Sequence, residues 1–167
     1  MGAVEIPSDA LYGAQTQRAI NNFSISKKPM PEPFIRALLR VKQAAATANA
    51  ELGLLESKVA NAVSDQVDQL LAASDLMQHF PVDRFQTGSG TSSNMNANEV
   101  LAHKVSAELG QEVSPNDEIN LGQSSNDSIP SALHISAAVL LSDQLIPSLN
   151  RLSQTLKERA ESLRGVT

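Results

Sequence analysis

The chain contains no cysteine and no tryptophan, and only one tyrosine and four phenylalanines among 167 residues. Without cysteine there is no disulfide framework, zinc–thiolate site or thiol nucleophile, which fits a reducing compartment. Aromatic residues make up 3% of the chain against 41% hydrophobic residues, so the apolar content is mostly Ala, Leu, Val and Ile. That composition suits helices packed closely on one another. Gly and Pro, at eight each, are too few for broad disorder. Positive charge is scarce as well: the net charge is −5, and Lys27-Lys28 is the only adjacent basic pair. Nucleic acid is thereby a poor partner. No apolar run approaches the length of a membrane span. Met1-Gly2-Ala3-Val4-Glu5 has neither the basic region nor the apolar core of a signal peptide.

What is present is helical periodicity. Residues 1–31 read as an irregular arm punctuated by Pro7, Pro29 and Pro31, with a short helix expected around Ala10–Ala19. Phe34–Glu51 places Phe34, Leu38, Val41, Ala45 and Ala48 on one face, and Gly53 is a plausible stop. Glu56–Ala73 buries Val59, Val63, Val67, Leu70 and Leu71, leaving Asn61, Asp65, Asp68 and Gln69 in water. A loop rich in Gly, Ser and Thr over Phe85–Ser93 leads to a helix at Asn94–Leu109, which Gly110 ends. The last element spans Ser128–Leu163, with Leu145, Leu149, Leu152, Leu156 and Leu163 forming a bundle seam and Pro147 kinking it. A helix this long needs partners of similar length, and the chain supplies none. The expected fold is therefore all-α: a helical domain over residues 1–127 and one long bundle helix over 128–167, its partners coming from other copies or from sequence beyond Thr167.

Two stretches carry chemistry. Gly122-Gln123-Ser124-Ser125-Asn126-Asp127-Ser128-Ile129-Pro130 opens the long helix, with Asp127 or Ser128 as the expected N-cap and Pro130 in the first turn. A helix start presents unpaired N–H groups and positive dipole, so the stretch reads as a carboxylate- or phosphate-binding corner, or as an ordinary capped loop. Gly88-Ser89-Gly90-Thr91 lacks the Walker lysine and the Rossmann spacing. It reads as a turn that presents Ser89, Thr91 and backbone donors to a small anion. Asn94, Asn96 and Asn98 would spread around a helix, and tying down neighbouring loops is the role expected for Asn96. His79, His103 and His134 are far apart with no carboxylate at ligand spacing, so no metal site and no cofactor are expected. Asn22-Phe23-Ser24 and Asn126-Asp127-Ser128 match the glycosylation sequon, read as chance in a chain without a secretion signal.

Thr87-Gly-Ser-Gly-Thr-Ser-Ser-Asn-Met-Asn-Ala-Asn-Glu-Val-Leu-Ala102 and Gln123-Ser-Ser-Asn-Asp127 resemble two signature regions of class II fumarate hydratase, in the fumarase/aspartase superfamily. Gly13-Ala-Gln-Thr-Gln-Arg-Ala19 resembles its N-terminal region. The resemblance implies reversible anti addition of water to fumarate, giving L-malate, in a cytoplasmic or mitochondrial homotetramer. It matches Ser89, Gly90, Thr91, Ser124, Ser125 and Asn126 to substrate binding, with the two turns meeting across subunits. It puts the catalytic base, the Thr-His pair and the loop serine beyond Thr167, so the chain resembles an N-terminal portion that is inactive alone. Aspartase typically has Thr where Ser125 stands. The family often has His-Pro-Asn-Asp at a secondary anion site. Here Ser114, Pro115, Asn116 and Asp117 occupy it, so the imidazole is missing.

Overall fold

The computed structural model describes residues 2–166. It is all-α: α1 (Ala14–Asn22), α2 (Glu32–Glu51), α3 (Ser57–Ala72), α4 (Thr91–Leu109), α5 (Ser125–Leu140) and α6 (Ile146–Ser162). A π turn at Leu141–Leu145 joins the last two into one continuous rod. α2 packs on α3 and α5, and α4 closes the core against α1, α3 and α5. Leu38, Leu39, Val63, Val67, Val100, Leu101 and Val105 are fully buried between them. Each contributes about 1.5–3 kcal/mol of apolar transfer.

Helix starts are where the structure departs from the periodicity. α1 begins at Ala14, not Ala10, because Glu99 on α4 receives the N–H groups of Gly13, Gln15 and Thr16. α2 begins at Glu32, with Pro33 in the first turn, where its missing N–H costs nothing. Phe34 and Leu38 are buried as expected, but from Val41 onward the buried stripe is shifted by one residue. Ile35, Leu39, Lys42, Ala46 and Asn49 are buried, while Val41 and Ala45 are half-buried and Ala48 is exposed. α3 buries Val59, Val63, Val67 and Leu70 as its pattern requires, with Leu71 half-buried. α4 starts three residues early, at Thr91, and buries Ser92, Ser93, Asn94, Asn96 and Asn98. It ends at Gly110, which is left-handed at φ 64°.

The long rod also starts three residues early. Ser124, not Asp127 or Ser128, is the N-cap, and Pro130 falls past the first turn. Pro147 does not stop the rod. A ring at 147 removes the N–H that would reach Asp143 and crowds that carbonyl. The π turn encloses Asp143, so the ladder absorbs the defect by widening. Beyond it no residue of α6 is buried, and Leu145, Leu149, Leu152, Leu156 and Leu163 form an exposed stripe. Over Ser125–Ser162 one window reaches a mean hydropathy of 1.3, more apolar than the reading of short runs suggested. Length and composition alone would let this helix cross a membrane, but His134, Ser136, Ser142, Asp143 and Gln144 interrupt the apolar sequence.

Candidate functional site

The opening of α4 is held by its own loop. Gly88–Gly90 forms one tight turn in which Ser89 (φ 60°) and Gly90 (φ 64°) are both left-handed. A non-glycine residue rarely adopts this conformation. At Gly90 a side chain is excluded twice, by φ and because its Cβ would stand 3.0 Å from Ile129 Cγ2 on α5. Gln86 engages Ser93 with both ends of its amide. Its Nε2 donates to Ser93 Oγ at 2.9 Å and its Oε1 accepts from Ser93 N at 2.7 Å. One first-turn N–H of α4 thus finds its partner outside the helix. Thr87 and Ser92 hydroxyls lie 3.2 Å apart alongside.

The opening of α5 is capped locally. Ser124 Oγ accepts from Asn126 N at 3.1 Å, and its carbonyl accepts from Asp127 N and Ser128 N. The two openings then touch. Thr91 Oγ1 donates to Gly88 O at 3.0 Å and lies 3.2 Å from Ser125 Oγ. A hydroxyl has one proton, so Ser125 is the donor in that second contact. The meeting occurs within one chain, whereas the family resemblance implied that it lies between subunits. The side chains of Ser89 and Asn126 are exposed and make no hydrogen bond among the described residues. Ser89 and Gly90 line a cavity of about 280 Å³ with Phe34, Arg84 and Ile129. Thr91 lines another of about 230 Å³ with Gln15, Arg18 and Met95. Chemically, this is a cluster of neutral donors beside two positive helix ends, suited to a small anion.

Below the α5 opening lies a residue that sequence reasoning missed. Lys42 is 0% exposed. Its Nζ donates to Asn120 Oδ1 and Gln123 Oε1, each at 2.9 Å. Burial holds its pKa far below the usual lysine value, at about 7. Asn94 and Asn98 donate to the same Asn120 oxygen at 3.0 and 3.1 Å. Asn120 Nδ2 in turn donates to Gln123 O. Asn96 turns elsewhere and donates to His79 O at 2.9 Å, a loop tie. The available signal was the 35–39–42–46–49 spacing on α2, which sets Lys42 in line with buried residues.

The Ser114–Asp117 turn stands apart from these openings, with no hydrogen bond to them among the described residues. Ser114 Oγ donates to Asp117 Oδ2 at 2.8 Å, and Ser114 N donates to Glu118 Oε2 at 2.7 Å. Two of its donors are spent on its own carboxylates. His103 and His134 are exposed. Among the described residues no group of three His, Asp or Glu side chains could hold a metal ion.

Comparison with known proteins adds a family. The signature of the Lyase family (Lyase_1) matches residues 2–167. The chain is 58% identical over 160 residues to fumarate hydratase class II 2 of Pseudomonas aeruginosa, covering 96% of this chain and 35% of that protein. It is 47% identical over 171 residues to fumarate hydratase class II of Halobacterium salinarum, covering 99% and 36%. Among solved structures, the class II fumarase of Schistosoma mansoni superposes with a TM-score of 0.88 at 36% identity, covering 95% of this chain and 35% of that one. The chain thus spans about a third of the length of these relatives.

Proposed function

As this chain belongs to the Lyase family, we propose that it is the N-terminal portion of a class II fumarate hydratase, which interconverts fumarate and L-malate. The observation that carries the reading is the Thr91–Ser125 contact, which sets two donor-rich helix openings side by side. In this reading Ser89, Gly90, Thr91, Ser124, Ser125 and Asn126 bind a carboxylate of the substrate. In the malate-to-fumarate direction, a base from outside the chain takes a proton from C3. Charge then gathers on the adjacent carboxylate, and hydroxide leaves C2. Donors fixed in place before the reaction stabilise that charge without reorganising. In this reading the segment before Ser125 belongs to the helical domain, and the rod from Ser125 to Ser162 is the first long helix of a central bundle. The bare leucine stripe of α6 supports a homotetramer in which other copies cover it. The net charge of −5 argues against a nucleic-acid partner, and the reading places the enzyme in the cytoplasm or a mitochondrion. The Ser114–Asp117 turn, lacking an imidazole, is at most an altered secondary anion site.

The test is to assay the full-length protein for the fumarate absorbance change with malate and, separately, with aspartate. Turnover of malate alone supports the reading. Turnover of aspartate supports an ammonia-lyase of the same superfamily, and turnover of neither supports a helical interaction module. The 167-residue chain by itself is expected to be inactive, because it lacks the base and the loop serine. Malate dehydration by that chain would contradict the assignment of those groups to other segments.

A further inference from the structure

The strongest unexplained feature is the buried cation beneath the α5 opening. Lys42 is fully buried, and no carboxylate pairs with it among the described residues. Its two acceptors, Asn120 and Gln123, belong to the turn that delivers Ser124. Asn94 and Asn98, from the first turns of α4, close on the same Asn120 oxygen. One side chain of α2 therefore joins the turn before α5 to the helix that begins at Thr91.

We propose that Lys42 is a positioning residue of the anion site, its ammonium fixing the Asn120–Gln123 turn from which α5 starts, so that Ser125 meets Thr91. The inference rests on the fumarate hydratase reading and assigns it a residue outside the two donor-rich turns. An ammonium grips amide oxygens more strongly than a neutral amine does, because charge-assisted hydrogen bonds are about twice as strong. It also places a positive charge one residue behind the cap. The charged groups on the surrounding elements are engaged elsewhere or face water. On α2, Arg36 pairs with Glu32 and Arg40 with Asp68 of α3. On α3, Asp65 is exposed and Lys58 pairs with Glu56. On α4, Glu99 binds the α1 start and Glu108 accepts from Gln66, while His103 is exposed and Lys104 half-buried without an ion pair. On the turn, Asp117 and Glu118 bind Ser114. On α5, Asp127 and His134 are exposed. No charged side chain on these elements therefore pairs with Lys42 among the described residues.

Because burial brings the lysine to about 7, loss of its proton falls inside the working range of an enzyme. The experiment measures KM and kcat for fumarate against pH in the full-length protein, as wild type, Lys42→Met and Asn120→Asp. Wild-type KM is expected to rise above about pH 7, by at most about tenfold per pH unit as the ammonium empties, and to level off near the Lys42→Met value. In Lys42→Met that limb disappears and KM is high throughout. Asn120→Asp gives the ammonium a carboxylate partner, which raises its pKa and moves the limb to higher pH. If Lys42→Met does not fold, wild type and Asn120→Asp still decide the matter. A limb at the same pH in every variant overturns the role of Lys42 while leaving the proposed function standing. No turnover of fumarate by the wild type overturns both.

Discussion

Glu99 offers the sharpest test of how the fold holds its N-terminal arm. Its carboxylate, on α4, is the N-terminal cap of α1 supplied from more than 80 residues away. Oε2 accepts from Gly13 N and Thr16 N at 3.0 Å and from Thr16 Oγ1 at 2.6 Å, while Oε1 accepts from Gln15 N at 2.9 Å. Glu99→Gln keeps the shape but turns one acceptor into a donor. The best rotamer leaves the amide oxygen on the three-donor side and sets NH₂ against Gln15 N. That N–H is exposed and recovers a water, so the loss is mainly the charge-assisted part of the remaining bonds. One such bond contributes about 1.5–3 kcal/mol and the anion–dipole term about 0.3–1. With the site half-exposed, Glu99→Gln should cost about 1–2 kcal/mol and Glu99→Ala about 2–4. Urea titration followed by circular dichroism reads the total. Hydrogen exchange at Gly13, Gln15 and Thr16 reads the location, and α1 should exchange first. A Glu99→Ala cost below about 0.5 kcal/mol, the range of ordinary surface substitutions, with unchanged exchange at those amides would refute the reasoning.

Lys42 makes stability depend on pH. Its folded value is about 7 against 10.5 unfolded, so between those values the unfolded chain binds more protons and stability rises with pH. At and below neutrality the burial costs about 5 kcal/mol at most, from 1.36 kcal/mol per unit, and Lys42→Met should flatten urea midpoints across that window. Asp83 gives stability the same direction of pH dependence in a lower window, but as a stabilising contribution and not a burial cost. Burial would raise its pKa, but hydrogen bonds from Phe85 N, Ser26 Oγ, Lys27 N and Ser26 N outweigh it and hold the carboxyl at about 2. Its contribution is therefore present above 3.8 and lost as pH falls through about 2. Asp83→Asn should speed hydrogen exchange at Ser26 and Lys27 at neutral pH, and unchanged exchange would contradict the assignment. Gly90→Ala should cost about 1–2 kcal/mol for the left-handed backbone. It should also lower kcat/KM in the full-length protein by displacing Ile129, and wild-type kinetics would contradict the close approach.

The apolar residues told most of the architecture. α3 and the α6 seam follow directly from spacings of three and four, because aliphatic side chains dominate their faces, with Gln66 the buried polar residue on α3. α2 was placed correctly along the chain, with Phe34 and Leu38 buried as expected, but its second half is rotated by one residue. Its buried stripe includes Lys42 and Asn49, which an apolar count passes over. The same blindness moved the starts of α4 and α5. Thr91, Ser92 and Ser93 look like loop because they are polar, yet Ser92 and Ser93 are buried against Thr87 and Gln86. Local capping rules did not place α1 either, since Glu99 arrives from a distant helix. The donor-rich turns were visible as composition. Their contact was not, because a hydroxyl pair 34 residues apart leaves no periodic trace.

The measurement that bears most directly on the site is a double-mutant cycle on fumarate hydration by the full-length protein, with Thr91→Ala, Ser125→Ala and both together. A shared carboxylate site predicts that each single change lowers kcat/KM by about tenfold or more. It also predicts that the pair falls short of the product of the two, because the hydroxyls act as one unit. Two singles with wild-type kcat/KM, or losses that multiply independently, would contradict it.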